Sequence, residues 1–476
     1  MNFTSEIFLF YFLPITILGF HFVRHYSLKK AYVFLSFASL IFYGWEMPYY
    51  VFIILFSVSV DWFLVEAMVK TQKKPKRLAL LLISVFSNLG LLAFFKYSGF
   101  IVENLDYLIT SLGISKMTNP NSTFFQNIIL PIGISFYTFQ TLSYTLDVYD
   151  GKIKKSRNFT EFLFYVSSFP QLVAGPIVRF SQLRSQLKHP TVNRTKIKTG
   201  MYFFVLGFSK KVLIADSVAP LADFVFDGAL VENGILNLLG VLAYSLQIYF
   251  DFSGYSEMAI GLGMFLGFKF PQNFNSPYKA SSLTDFWRRW HITLSSWIRD
   301  YVYIKLGGSR RGSIRNVFNL ILSITVFGLW HGANWTFLVW GLGHGLAVLC
   351  DRYLAKFAGG FVALIRRSWC LLTVIVLWIP FRATDIDVAL MILNNIVFNI
   401  TDIDISSLFN VSNKVDILVS LLMIIPAILI SFFGKNVYEM KKELNYFTSA
   451  YLTIILLVSI LVLLSRDYVP FLYFQF

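Results

Sequence analysis

Imidazole is the side chain that both takes and gives a proton near neutral pH, and three of the chain's six histidines fall between Ser281 and Gly345, with six of its ten tryptophans. Two stand in similar settings, Phe286-Trp287-Arg288-Arg289-Trp290-His291 and Gly328-Leu329-Trp330-His331-Gly332-Ala333-Asn334-Trp335. A base so placed suits a reaction in which a weakly acidic group must give up its proton as a new bond forms. His331 ends an apolar run and precedes a glycine, which puts it inside the bilayer at a helix end, where an ionisable group is a functional candidate by default. His291 lies on a stretch with Leu283, Phe286, Trp287, Trp290, Leu294, Trp297 and Tyr301 at helical spacing, opened by the capping pair Ser282 and Asp285. One amphipathic helix is expected there, with His291 at the edge of its apolar face, facing either a catalytic cleft or a lipid headgroup. His344, in Trp340-Gly341-Leu342-Gly343-His344-Gly345, has small neighbours that close helix packing explains equally well.

Two further sets of charges bear on the site. Asp251 and Glu257 interrupt the apolar run 236–266 and need partners at membrane depth; the arginines beside His291 are the nearest in sequence, so the carboxylates are expected in structural ion pairs that pin the His291 helix. Arg288, Arg289, Arg310 and Arg311 form a basic group that would attract a polyanionic ligand, of which acetyl-CoA is one example, or simply anchor a cytoplasmic face. No metal set is expected, since the histidines are far apart and no His-x-x-x-His occurs. Leu306 to Gly312 lacks the residues of a phosphate-binding loop, and Cys350 and Cys370 have no metal or redox spacing.

The elements that must hold these residues are membrane helices. Hydrophobic residues make up 56% and charged residues 14% of the 476, and the mean hydropathy is +0.63, so apolar runs recur along the whole chain. About twelve crossings are expected, at 5–23, 31–45, 49–69, 78–97, 128–147, 199–219, 236–262, 314–331, 334–352, 362–382, 415–434 and 447–465, giving an all-α polytopic membrane protein. The segment 386–400 fits a surface helix better than a crossing, and Phe162 to Ile177, broken by Pro170, Gly175 and Pro176, fits a re-entrant hairpin. Lysine and arginine gather in alternate connections, so the net charge of +15 is ascribed to topology and not to nucleic acid, and both ends of the chain are expected outside the cytoplasm.

Several of these stretches together, Phe169 to Arg179, the Asp251 island, Pro271 to Tyr278, the Trp-Arg-Arg-Trp-His segment, Trp330-His331-Gly332 and Phe381-Arg382-Ala383, resemble the membrane-bound O-acyltransferase family, and within it the members that O-acetylate alginate and peptidoglycan. The likeness runs from about Pro131 onward, as a single membrane-embedded domain with amino-terminal helices 1–130, a core 131–383 and carboxyl-terminal helices 384–476. It implies that the family's two site positions fall on His291 and His331, and that an acyl group passes from a cytoplasmic thioester to an extracytoplasmic polymer in a bacterial inner membrane. An extracytoplasmic SGNH-type enzyme would be the partner, with no tightly bound cofactor. D-alanyl transfer is the nearest alternative, and a polysaccharide or lipid transporter or a non-catalytic scaffold the rivals from other classes.

The aromatic segment Pro470-Phe471-Leu472-Tyr473-Phe474-Gln475-Phe476 is a plausible interfacial anchor. It also carries a nucleophile, Tyr473, whose phenyl ester would be activated enough to pass an acyl group on, and the family's acetylating members share a similar motif. His331 is then expected to act as base, Tyr473 as acyl relay, and His291 as the group that orients the donor.

Overall fold

In a computed structural model the chain is described at all residues except 114–127, 228–231, 358, 402–413, 441, 444, 467–468 and 475–476. The described residues contain helices and connections but no strand, and they form two compact units: residues 1–196 with 262–270, and residues 197–261 with 271–476.

The first unit holds α1 (Leu13–Tyr26), α2 (Leu28–Gly44), α3 (Tyr50–Lys70), α4 (Lys74–Ser111), α5 (Ile134–Tyr149), α6 (Phe159–Ser167), α7 (Phe169–Leu172) and α8 (Phe180–Leu183). A π-helical turn, Phe8–Phe12, runs straight into α1, proline at the first turn of α4 sits where no intrahelical N–H is needed, and Ser27 caps α2 by accepting from the Lys30 N–H. At 38 residues, α4 is about 57 Å long, well beyond a bilayer core. It therefore carries on through 103–111, expected to be loop, and ends in a turn at Leu112 and Gly113; residues 114–127 lie outside the described residues. The segment expected to be re-entrant is broken, into α6 and α7 at Ser168, and is buried from Phe164 to Val178. The Met1 amine lies 3.1 Å from Glu46, which puts the start of the chain and the 46–48 connection on one face, as the charge alternation requires.

The second unit holds α9 (Arg194–Ser209), α10 (Asp216–Phe226), α11 (Gly234–Phe265), α12 (Leu283–Arg289), α13 (Ile292–Ile298), α14 (Ser313–His331), α15 (Trp335–Leu354), α16 (Gly360–Arg382), α17 (Ile386–Phe398), α18 (Lys414–Phe433) and α19 (Tyr446–Leu464). A π-helical turn, Lys210–Ala215, joins α9 to α10. Helices α9 and α11 meet backbone to backbone at two glycine pairs seven residues apart. A Cβ on Gly254 would stand 2.6 Å from the Gly207 carbonyl oxygen, and one on Gly261 would stand 2.6 Å from that of Gly200. That close approach brings the π turn within reach of the α11 carboxylates.

Eight described helices are long and apolar enough to span a bilayer: residues 8–26, α3, α4, α11, α14, α16, α18 and α19. The other four apolar runs are helical too, but fall short in length or apolar character, so twelve crossings are not reached on these grounds. The 13-residue α17 is too short to cross, in keeping with its expected surface role.

Candidate active site

The stretch expected as one amphipathic helix is two. Ser282 caps α12 as its sequence promised, accepting from the Asp285 N–H at 3.1 Å, but α12 ends at Arg289 and α13 starts at Ile292. Between them His291 adopts the left-handed conformation (φ 42°, ψ 53°), one of two non-glycine residues among those described with positive φ. Such a backbone is strained and persists only where its surroundings over-determine it. Here Asn273 does so. Its backbone oxygen accepts from the Ile292 N–H at 2.8 Å, its side-chain oxygen accepts from the Thr293 N–H and hydroxyl at 3.3 and 2.9 Å, and its amide donates to Ser256 at 3.0 Å.

The same oxygen fixes the His291 tautomer. A backbone N–H can only donate, so the atom that receives Thr293 N–H is the Asn273 carbonyl oxygen, and His291 Nδ1, 3.0 Å from it, must carry the ring proton. Complete burial holds this imidazole well below the ordinary histidine range, hence neutral, and its Nε2 presents a lone pair. With the proton on Nδ1, His291 Nε2 is an acceptor and not a donor. Asn273 was quoted only as part of a motif, since nothing in one sequence says that it reaches His291.

His331 is the last residue of α14 and is buried. A three-residue turn follows, and Asn334 caps α15 by accepting from the Thr336 N–H at 3.1 Å. Gly332 is required in this turn because a Cβ would run into the ring of Phe337. The His331 ring is set among Phe327, Trp330, Trp340 and Phe381, with centroids at 5.1, 4.8, 5.4 and 4.9 Å. The two histidines come together around a third ring. Tyr473 lies 5.9 Å from His331 and 6.3 Å from His291, and Phe252 packs 3.9 Å from Tyr473 and 4.7 Å from His291. All four side chains are buried. A base, a second imidazole and a phenol in one desolvated space are the parts needed to carry an acyl group on oxygen. His344 stands one ring away, between Trp287 and Trp340 at 4.9 and 4.8 Å, and neither of its nitrogens finds a hydrogen-bond partner among the described residues.

The carboxylates of α11 are ion-paired as expected, but with other partners. Glu257 meets Lys210 at 2.6 Å and Asp251 meets Lys211 at 2.8 Å, so they bind the π turn after α9 and not the His291 segment. Sequence distance misled because the glycine contact of α9 and α11 brings lysines forty residues away closer than the arginines.

The basic residues divide similarly. A cavity of about 380 Å3 is lined by Arg288, Arg299 and Arg352 and by Trp287 and Phe327, and Phe327 also packs on His331. Arg289 instead pairs with Asp285 at 2.9 Å and donates to the Asn275 carbonyl oxygen at 3.3 Å. Arg310 and Arg311 are exposed on a loop and do not line the cavity. Arg299 and Arg352, overlooked in the sequence, are separated from Arg288 by 11 and 64 positions.

Residues 116–393 match the membrane-bound O-acyltransferase family. The chain belongs to that family. It is 43% identical to a probable alginate O-acetylase of Azotobacter vinelandii over 82% of this chain and 76% of the relative, and 38% identical to one of Pseudomonas putida over the full length of both. It is also 36% identical to a peptidoglycan O-acetyltransferase of Helicobacter pylori, over 83% of this chain and 79% of that protein. The chain is thus a multi-pass membrane O-acyltransferase, and the buried cluster of His291, His331 and Tyr473 falls in its second unit.

Proposed function

We propose that this O-acyltransferase moves an acetyl group from a cytoplasmic thioester through Tyr473 to an extracytoplasmic polysaccharide, by way of an SGNH-type partner. The observation that carries the reading is the Tyr473 ring held within 5.9 Å of His331 and 6.3 Å of His291. His331 takes the phenolic proton, and the phenolate oxygen adds to the thioester carbonyl. The C–S bond breaks, and the thiolate leaves with the proton returned by the His331 imidazolium, so that Tyr473 holds an acetyl ester. A serine hydroxyl of the partner then attacks that ester, the tyrosine oxygen leaves as a phenol, and the partner carries the acetyl group to the polymer. His291, held with a lone pair on Nε2, accepts a hydrogen bond from an amide N–H of the donor arm or from the phenol.

The donor fits the basic cavity. Arg288, Arg299 and Arg352 suit the phosphates of an acyl-thioester carrier, and the aromatic wall of Trp287 and Phe327 leads toward His331. Arg352 opens the basic stretch 352–367, which the positive-inside rule assigns to the cytoplasm. Acceptors named by the relatives, alginate and peptidoglycan, share a sugar hydroxyl as the acetylated group.

Tyr473→Phe keeps the ring and removes only the hydroxyl, so polymer acetylation, read by mass analysis of the released acetate, should be lost; retained acetylation would end the relay. Arg288→Ala and Arg352→Ala should each raise the donor KM by about fivefold or more while Arg310→Ala and Arg311→Ala stay within about twofold. Equal effects from both pairs, in KM measurements on purified protein, would remove the donor from this cavity.

A further inference from the structure

Three neighbouring side chains of α11 meet three successive residues of the aromatic segment. Asp251 accepts a hydrogen bond from the Leu472 N–H at 3.0 Å, Phe252 packs against Tyr473 with its ring tilted by 34°, and Tyr255 meets the ring of Phe471 edge-on at 4.6 Å. Lys211 grips the same stretch from the other side. Its ammonium donates to the Pro470 carbonyl oxygen at 3.3 Å and lies 4.7 Å from the centre of the Phe471 ring. The two grips are one unit, because Lys211 Nζ also meets Asp251 Oδ1 at 2.8 Å and Asp216 Oδ1 at 2.5 Å, all almost fully buried.

A buried ion pair is a poor source of stability, since desolvation offsets most of the attraction. Two packed apolar side chains would serve as well for helix packing alone. What they could not do is hold the Leu472 N–H and the Pro470 carbonyl of a segment with no regular helix of its own beyond one short turn. The neighbouring pair makes the contrast: Lys210 and Glu257 join the same two elements at 2.6 Å, and among the described residues no hydrogen bond or ion pair ties either to the aromatic segment.

We propose that the Asp251–Lys211 pair is a latch that seats residues 470–473 and thereby sets the Tyr473 phenol between His331 and His291, so that both are positioning residues for Tyr473. The seating itself does not depend on the relay; only its consequence for turnover rests on the proposed role of Tyr473. A latch made of two charge-assisted hydrogen bonds can open, which lets an acylated Tyr473 leave its buried seat and meet an extracytoplasmic partner.

The test follows the segment itself. In the full chain carrying Cys350→Ser, Cys370→Ala and Leu472→Cys, the introduced thiol should react slowly with a small methanethiosulfonate reagent, because position 472 is buried. Adding Asp251→Ala should speed the reaction by about tenfold or more, the loss expected for a hydrogen bond to a charged group. Lys211 keeps its Asp216 partner in that variant, so no lone buried cation is created. Asp251→Asn, whose amide oxygen still accepts from Leu472, should fall between the two. Glu257→Gln should leave the rate within about twofold. Unchanged labelling in Asp251→Ala, or equal acceleration by Glu257→Gln, would overturn the latch. The relay is judged apart: Tyr473→Phe that keeps acetylation active while labelling at position 472 stays slow removes the relay and leaves the latch standing.

Discussion

His291 and His331 flank the same phenol, yet the molecule fixes them by different means. His291 is held by hydrogen bonds: a strained backbone, an asparagine from another segment and a defined tautomer. His331 is set among aromatic rings at the end of a long helix. Hydrogen bonds specify which nitrogen carries the proton, while ring packing specifies place by shape. Under the proposed mechanism the difference suits His291 to hydrogen-bond acceptance at a set direction and His331, beside the cavity wall at Phe327, to proton transfer.

The largest effect should come from His331→Ala. Loss of a general base predicts a fall in acetyl transfer of about two to four orders of magnitude with normal membrane insertion. If purified His331→Ala protein turns over at a near-native rate while His291→Ala does not, the two roles must be exchanged.

The His291 series sharpens the contrast by separating backbone from chemistry. Asparagine tolerates the left-handed region far better than alanine, so His291→Asn should be the more stable by about 1 kcal/mol in thermal unfolding. It also retains an amide that can hydrogen-bond, so its turnover should exceed that of His291→Ala, which is expected to lose on the order of tenfold or more. His291→Gly relieves the backbone without supplying any side chain. Activity of the glycine variant equal to that of the asparagine variant would show that only the bend matters.

A smaller effect tests the ring packing around His331. Gly332→Ala forces a methyl into Phe337 and should cost about 1–3 kcal/mol of stability, with a partial loss of turnover. Adding Phe337→Leu should recover part of both, measured by thermal unfolding and rate in the same preparation; a double variant worse than Gly332→Ala would mean that this contact does not place His331.

Much of the architecture was legible because the bilayer enforces it. The apolar runs became helices, Ser282, Ser27 and Asn334 cap where their types suggest, and the charge alternation agrees with the Met1–Glu46 contact. The clearest miss was the unbroken helix through His291. Apolar residues at helical spacing continue across the break, since α12 and α13 bury the same kinds of side chain, and periodicity does not register one residue turned to positive φ by a distant asparagine.

The sequence by itself determined the class of protein and the identity of the chemical groups: transbilayer apolar length, two tryptophan-histidine pairs, a phenol in an aromatic segment and buried charges that had to be paired. Those follow from solvent and local chain chemistry, which act on neighbours along the chain. Tertiary structure alone decided the partners. Asn273 with His291, Lys211 with Asp251 and Pro470, Asp251 with Leu472, and Arg352 with Arg288 around one cavity are separated by between 18 and 259 positions. Their meeting depends on helix crossings such as the glycine contact of α9 and α11, whose geometry is set by the packing of whole helices and is written at no single stretch of the chain.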